Sequence, residues 1–141
     1  MDLGIKGTTA IVCASSKGLG KACALALARE GVEVFIAARN EEPLEAAARE
    51  IRGAGGKVKA VVADVTTDEG RAALLEACPE PDILVNNAGI LRDKTFAKMT
   101  LDDFRKVVDV HLMGSATCCH AVWPIMREQG YGRIVLTASG S

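Results

Sequence analysis

The chain has 141 residues, room for one domain and one core, and its 17 Lys and Arg nearly balance its 18 Asp and Glu for a net charge of -1. With both signs interspersed there is no basic stripe for nucleic acid, and no stretch reaches the ~18 apolar residues of a membrane span. A composition of 49% hydrophobic, 25% charged and 4% aromatic residues suits helices packed closely on a buried sheet.

In chain order, the apolar run Thr8 to Cys13 predicts a strand. A Ser/Gly turn and a helix from Lys21 to Glu30 follow, with Ala22, Leu25, Ala26 and Arg29 at helical spacing. Val32 to Ala38 is a second strand, and Asn40 can cap the next helix, which tolerates Pro43 in its first turn and ends at Gly53, Gly55 and Gly56. Val58 to Ala63 is a third strand. Thr66-Thr67-Asp68-Glu69 has the spacing of a capping box before a helix from Gly70 to Ala77. Ile83-Leu84-Val85 is a fourth strand. Thr100 caps a long helix running to about Gln129, with Pro124 as its expected kink, and Arg133 to Ala138 is a fifth strand. Strands of continuous apolar character separated by helices imply a parallel sheet covered on both faces: a Rossmann-like, doubly wound α/β fold.

Between the first strand and helix stands Ala14-Ser15-Ser16-Lys17-Gly18-Leu19-Gly20, close to the G-x-x-x-G-x-G form of the dinucleotide fingerprint. A helix start presents unpaired N–H groups and partial positive charge, which stabilise a pyrophosphate if no Cβ blocks the approach. Arg39 follows about 20 residues on, where an acid would bond the ribose hydroxyls of NAD. An arginine cannot do that, but it can pair with a 2'-phosphate, and Lys17 can add a second charge. The two cations therefore fit NADP(H) as preferred cofactor with NAD(H) possible, or a plain pair of solvated surface charges.

Five cysteines form no C-x-x-C pair and no zinc spacing, which suits a reducing cytoplasm, and the chain opens Met1-Asp2-Leu3-Gly4 without a basic and apolar leader. A cytoplasmic location is the expectation. The adjacent Cys118 and Cys119 read as small buried side chains.

These residues, with Asp64-Val65 after the third strand, Asn86-Asn87-Ala88-Gly89 after the fourth and the later Gly132-Arg133-Ile134-Val135 strand, resemble the classical short-chain dehydrogenase/reductase family along essentially the whole chain. The resemblance implies that Asp64 bonds the adenine, that Val65 packs near it, and that Asn87, Ala88 and Gly89 lie along the cofactor near its ribose. It places the catalytic serine at Ser139. It also implies hydride transfer between nicotinamide and a carbonyl or alcohol carbon, with a Tyr-x-x-x-Lys motif on the helix after the serine. The sequence ends at Ser141, and its only tyrosine, Tyr131, has Val135 four places on. Residues 1–141 are therefore expected to be an NAD(P)-binding domain truncated after the fifth strand, without turnover alone.

Three departures stand out. Ala14 replaces the first glycine of the fingerprint, Cys13 replaces the usual threonine, and His111 stands where most members carry an asparagine serving a proton relay. His111 suits a relay or packing within its helix equally. The first half resembles 3-oxoacyl-acyl-carrier-protein reductases. The second half resembles the hydroxyacyl-CoA dehydrogenase part of peroxisomal type 2 multifunctional enzymes, which tilts the substrate toward a 3-oxoacyl or 3-hydroxyacyl thioester. The alternative is a non-catalytic dinucleotide-binding module, or a structural fragment or chimera that associates with a partner chain. An exposed fifth strand and the long helix Thr100 to Gln129 point to a homo-oligomer.

Overall fold

The computed structural model describes residues 1–87 and 94–138; the predicted sites Ala88, Gly89 and Ser139 lie outside the described residues. Five strands, β1 (Thr9–Cys13), β2 (Glu33–Ala38), β3 (Val58–Val62), β4 (Ile83–Asn86) and β5 (Arg133–Leu136), pair in parallel in the order β3-β2-β1-β4-β5. Helices α1 (Gly18–Arg29), α2 (Glu41–Gly53) and α3 (Asp68–Ala77) connect the first four strands. Between β4 and β5 run α4 (Leu101–Val107), a π-helical stretch (Val108–Met113) and α5 (Gly114–Gln129). This is the expected doubly wound α/β fold.

Strand alternation divides the apolar residues between two layers. On one face Ala10, Val12, Val34, Ile36 and Val85 meet Ala24 and Ala28 of α1 and Leu44, Ala48 and Ile51 of α2. On the other, Ile11, Cys13, Phe35, Ala37 and Leu84 meet Leu74 of α3 and Cys118, Val122 and Met126 of α5. Ile36, Leu44 and Ile51 are wholly buried, each worth roughly 1.5–3 kcal/mol of hydrophobic stabilisation. Small residues on α1 let it lie close to the sheet, and Lys21 pairs with Glu50 across α1 and α2.

Three local expectations are corrected. Thr67, not Thr66, caps α3: its hydroxyl oxygen accepts from the Gly70 N–H at 3.0 Å. Thr66 is already engaged, because the Asp64 carboxylate accepts from both its N–H (3.0 Å) and its hydroxyl (2.6 Å). Asn40 holds the N-cap position of α2 without a side-chain cap bond. The long helix carries its irregularity at Val108–Met113, while α5 runs through Pro124. There the Ser115 hydroxyl donates to the His111 carbonyl (2.6 Å) and the Thr117 hydroxyl to the Met113 carbonyl (2.8 Å). Such back-bonding satisfies carbonyls where the hydrogen-bond ladder changes pitch. Thr100 caps α4 as expected, accepting from the Asp103 N–H at 3.0 Å.

Candidate functional site

The strand order reverses between β1 and β4, and ligands of open α/β sheets bind beyond the carboxyl ends of strands at such a reversal. Beside it lies a cleft of about 320 Å³ lined by Ala14, Ser16, Lys17, Arg39, Asp64 and Val65, among others. Six of the predicted site residues, from three separate loops, thus meet in one hollow. Sequence reasoning missed six further described members of its wall: Ala37, Ala38, Asn40, Ala63, Thr66 and Val110. Val110 comes from the π-helical stretch and carries no fingerprint of its own.

The turn after β1 explains what the first fingerprint glycine is for. Ala14 has φ +51°, in the left-handed region that costs a side-chain-bearing residue about 1–2 kcal/mol. Ala14 adopts the glycine conformation without the glycine. Gly20 is constrained by approach: a Cβ there would press into the Ala14 carbonyl oxygen and lie 3.0 Å from Asn87 Nδ2. Helix, turn and the β4 loop therefore close on one another at Gly20, bringing Asn87 beside the turn. Gly18, at φ +62°, opens α1, and Leu19 is exposed on its first turn.

Ser15 has a different part from the one its place in the motif suggests. It is fully buried; its hydroxyl donates to the Val12 carbonyl (2.7 Å) and accepts from the Ala37 N–H (3.1 Å). Its own N–H goes to the Ala37 carbonyl at 3.3 Å. Ser15 fastens the turn to β2, while Ser16 and Lys17 face the cleft.

The start of α1 is also electrostatically distinct. Lys17 at its N-cap makes no side-chain cap bond and the first turn holds no acid, whereas α2, α3 and α4 each begin with two acidic residues. Those three helices supply their own negative charge to the positive end of the dipole; α1 leaves that role to a ligand. Opposite it, Asp64 is held below the usual carboxylate range, first by the hydrogen bond from the Thr66 hydroxyl, with the Thr66 N–H and the Arg39 charge adding to it against a burial effect. Gly70 sets this loop from below, since a Cβ there would collide with the Asp64 carbonyl. Nothing in the sequence pattern marked it.

His111 is exposed in the π-helical stretch, one residue after Val110 of the cleft wall. A larger hollow of about 740 Å³ lies at β5, lined by Trp123, Met126, Tyr131 and Ile134 among others, with the Arg133 guanidinium 4.6 Å from the Tyr131 ring centre. None of the predicted site residues among the described residues lines it. No helix among the described residues is long and apolar enough to cross a membrane.

A family model described as short chain dehydrogenase matches residues 8–141. The chain is 38% identical over 150 residues to the peroxisomal hydratase-dehydrogenase-epimerase of Saccharomyces cerevisiae, covering 98% of this chain and 17% of that protein. It is 39% identical over 131 residues to a 3-oxoacyl-[acyl-carrier-protein] reductase of Synechocystis, covering 89% of this chain and 53% of that one. Both branches that the sequence resembles are therefore among its relatives. L-sorbose reductase of Gluconobacter frateurii, solved with NADPH and L-sorbose, superposes with a TM-score of 0.92 at 35% identity, over 99% of this chain and 55% of that structure. The chain spans about half the length, or less, of these relatives.

Proposed function

The chain belongs to the short-chain dehydrogenase family, and from that premise we propose that residues 1–141 form the cofactor-holding unit of an NADP(H)-dependent oxidoreductase acting on a carbonyl or alcohol. The observation that carries this reading is the meeting of Lys17, Arg39 and Asp64 in one cleft at the uncapped start of α1. The residues fit the cofactor: Gly20 keeps a Cβ out of the turn, the α1 N–H groups receive the pyrophosphate, and Arg39 with Lys17 takes the 2'-phosphate. Asp64 accepts from the adenine, Val65 packs beside it, and Asn87, Ala88 and Gly89 border the ribose. NAD(H) binds the same cleft more weakly.

When bound, the nicotinamide supplies or accepts the hydride. Ser139 orients the substrate oxygen, and His111 holds a proton at its imidazole for relay to solvent, which its exposed position suits. The related hydratase-dehydrogenase-epimerase and oxoacyl reductase favour a 3-oxoacyl or 3-hydroxyacyl thioester as substrate. Protomers associate through the helical run from Thr100 to Gln129, where Phe104, Leu112 and Trp123 are exposed, and the protein works in the cytoplasm.

A second reading rests on the same cleft, whose described lining offers the binding groups Lys17, Arg39 and Asp64. On this reading the chain is a dinucleotide-binding module. Calorimetric titration with NADPH and then NADH tests the shared core of both readings. Saturable binding with NADPH preferred is the expected result, and a folded sample that binds neither overturns both.

A further inference from the structure

Beneath the floor of the cleft lie two thiols that neither the motif nor the cofactor reading uses. Cys13 ends β1 directly before Ala14, and Cys118 lies in α5; both are buried in the same core layer and border the same small internal space. The Cys13 and Cys118 thiols interact within this space, and the Cys118 thiol lies 3.9 Å from the Val65 carbonyl oxygen. Arg71 closes the group, donating to that same Val65 carbonyl at 2.9 Å and to the Thr117 hydroxyl at 3.3 Å, and pairing with Asp68. The pair therefore touches both walls of the cleft: Ala14 through the chain, and Val65 through the sulfur.

We propose that Cys13 and Cys118 are a peroxide-sensitive thiol pair whose disulfide loosens the cofactor cleft above it, a regulation that rests on the dinucleotide-binding reading. The two sulfurs are differentiated. The hydrogen bond with Cys13, with the Arg71 charge, holds the Cys118 thiol below the ordinary cysteine range against the opposing effect of burial. The same bond, with burial, pushes Cys13 up. Burial pushes Cys119 up as well, and Cys78 to about 11. The Arg71 guanidinium, held on the Val65 carbonyl that Cys118 also approaches, favours a thiolate at Cys118, which makes Cys118 the attacking sulfur and Cys13 the resolving one.

The Cys118 thiolate attacks one oxygen of hydrogen peroxide; the O–O bond breaks, an S–O bond forms, and hydroxide leaves, giving Cys118 sulfenic acid. The Cys13 sulfur then attacks the Cys118 sulfur, the S–O bond breaks, and its hydroxyl departs with the Cys13 proton as water. Sulfur is oxidised and peroxide oxygen reduced in balance. Both sulfurs are buried, so peroxide reaches them during local opening of α5, more slowly than an exposed thiol. A disulfide of about 2.05 Å draws the sulfurs well inside their hydrogen-bonded separation. It pulls Cys118 from the Val65 carbonyl and moves Cys13 beneath the strained Ala14 turn. The sequence conceals the pair because its members are far apart along the chain.

The test treats the full chain with hydrogen peroxide, maps disulfides by non-reducing peptide mass spectrometry, and titrates NADPH before oxidation, after it, and after dithiothreitol. The expected result is a Cys13–Cys118 cross-link with about tenfold weaker NADPH binding, restored by dithiothreitol, lost in Cys118→Ala and retained in Cys119→Ser. Should Cys118→Ala fail to fold, Cys13→Ser takes its place. A peptide map without this cross-link after peroxide has been consumed by the protein overturns the proposal, and a cross-link with unchanged affinity overturns the regulation. If reduced protein does not bind NADPH, the functional reading fails and the regulation with it, while the peptide map still decides the thiol pair.

Discussion

The two halves of the sheet are built to different standards of enclosure. β1 and β2 are buried along nearly their whole length, with α1 and α2 sealing one face into a dense layer of Ala, Val, Leu and Ile. β5, at the far edge, has Val135 and Leu136 about half exposed; α4 and the π-helical stretch contain no buried residue, and Trp123 on α5 is 61% exposed. The cleft lies mainly on the enclosed half, with Val110 reaching it from the π-helical stretch. Its geometry is held by backbone contacts that the chain provides for itself, whereas the other half presents an apolar surface suited to another protein surface.

The largest expected effect breaks the enclosed half. Gly20→Ala drives a Cβ into the Ala14 carbonyl, where neither backbone can yield cheaply. It should cost about 1–3 kcal/mol of stability and remove measurable NADPH binding, read by thermal unfolding and titration. The open half should respond otherwise. The double change Phe104→Asp and Trp123→Glu should shift sedimentation to monomer while altering protomer stability by no more than about 0.5 kcal/mol, because these side chains are exposed. An assembly that survives both changes would move the interface away from this helical run.

A smaller effect sharpens the account of the turn. Ala14→Gly relieves the left-handed strain but gives the unfolded chain more freedom, so the net gain should be between ~0 and 1 kcal/mol, seen as a slightly raised melting temperature. The smallest concerns acid. Asp64 has a lowered folded pKa, so its contribution is fully present above its unfolded value of about 3.9 and is lost as pH falls through the lower folded value. Thr66→Val removes the main cause and brings the folded value back toward the unfolded one, so the variant should lose less stability than wild type as pH falls below about 4, measurable as acid unfolding of the two proteins side by side.

How much was legible follows from which interactions are local. Apolar runs, Thr100 and the glycine turn report on neighbours in sequence, so the strands, the α4 cap and the position of the fingerprint were readable. The anchoring of Ser15 was not legible because its partner, Ala37, belongs to the next strand, and a motif does not distinguish a hydroxyl turned inward from one turned to the cleft. Thr66 and Thr67 exchanged roles because the Asp64 carboxylate competes for the first of them. The π-helical stretch was concealed by an uninterrupted helical pattern, while Pro124, the obvious suspect, lies within continuous helix. Gly70 and the pairing of Cys13 with Cys118 depend on approaches between distant segments.

The most direct test of the central claim is to titrate the wild-type chain and Arg39→Asp with both nucleotides by calorimetry. A guanidinium paired with a 2'-phosphate contributes about 1.5–3 kcal/mol, so the substitution should weaken NADPH roughly tenfold to a hundredfold and leave NADH unchanged or improved. Equal loss of both nucleotides, or no loss of NADPH, would contradict the assignment of Arg39 and with it the NADP(H) preference.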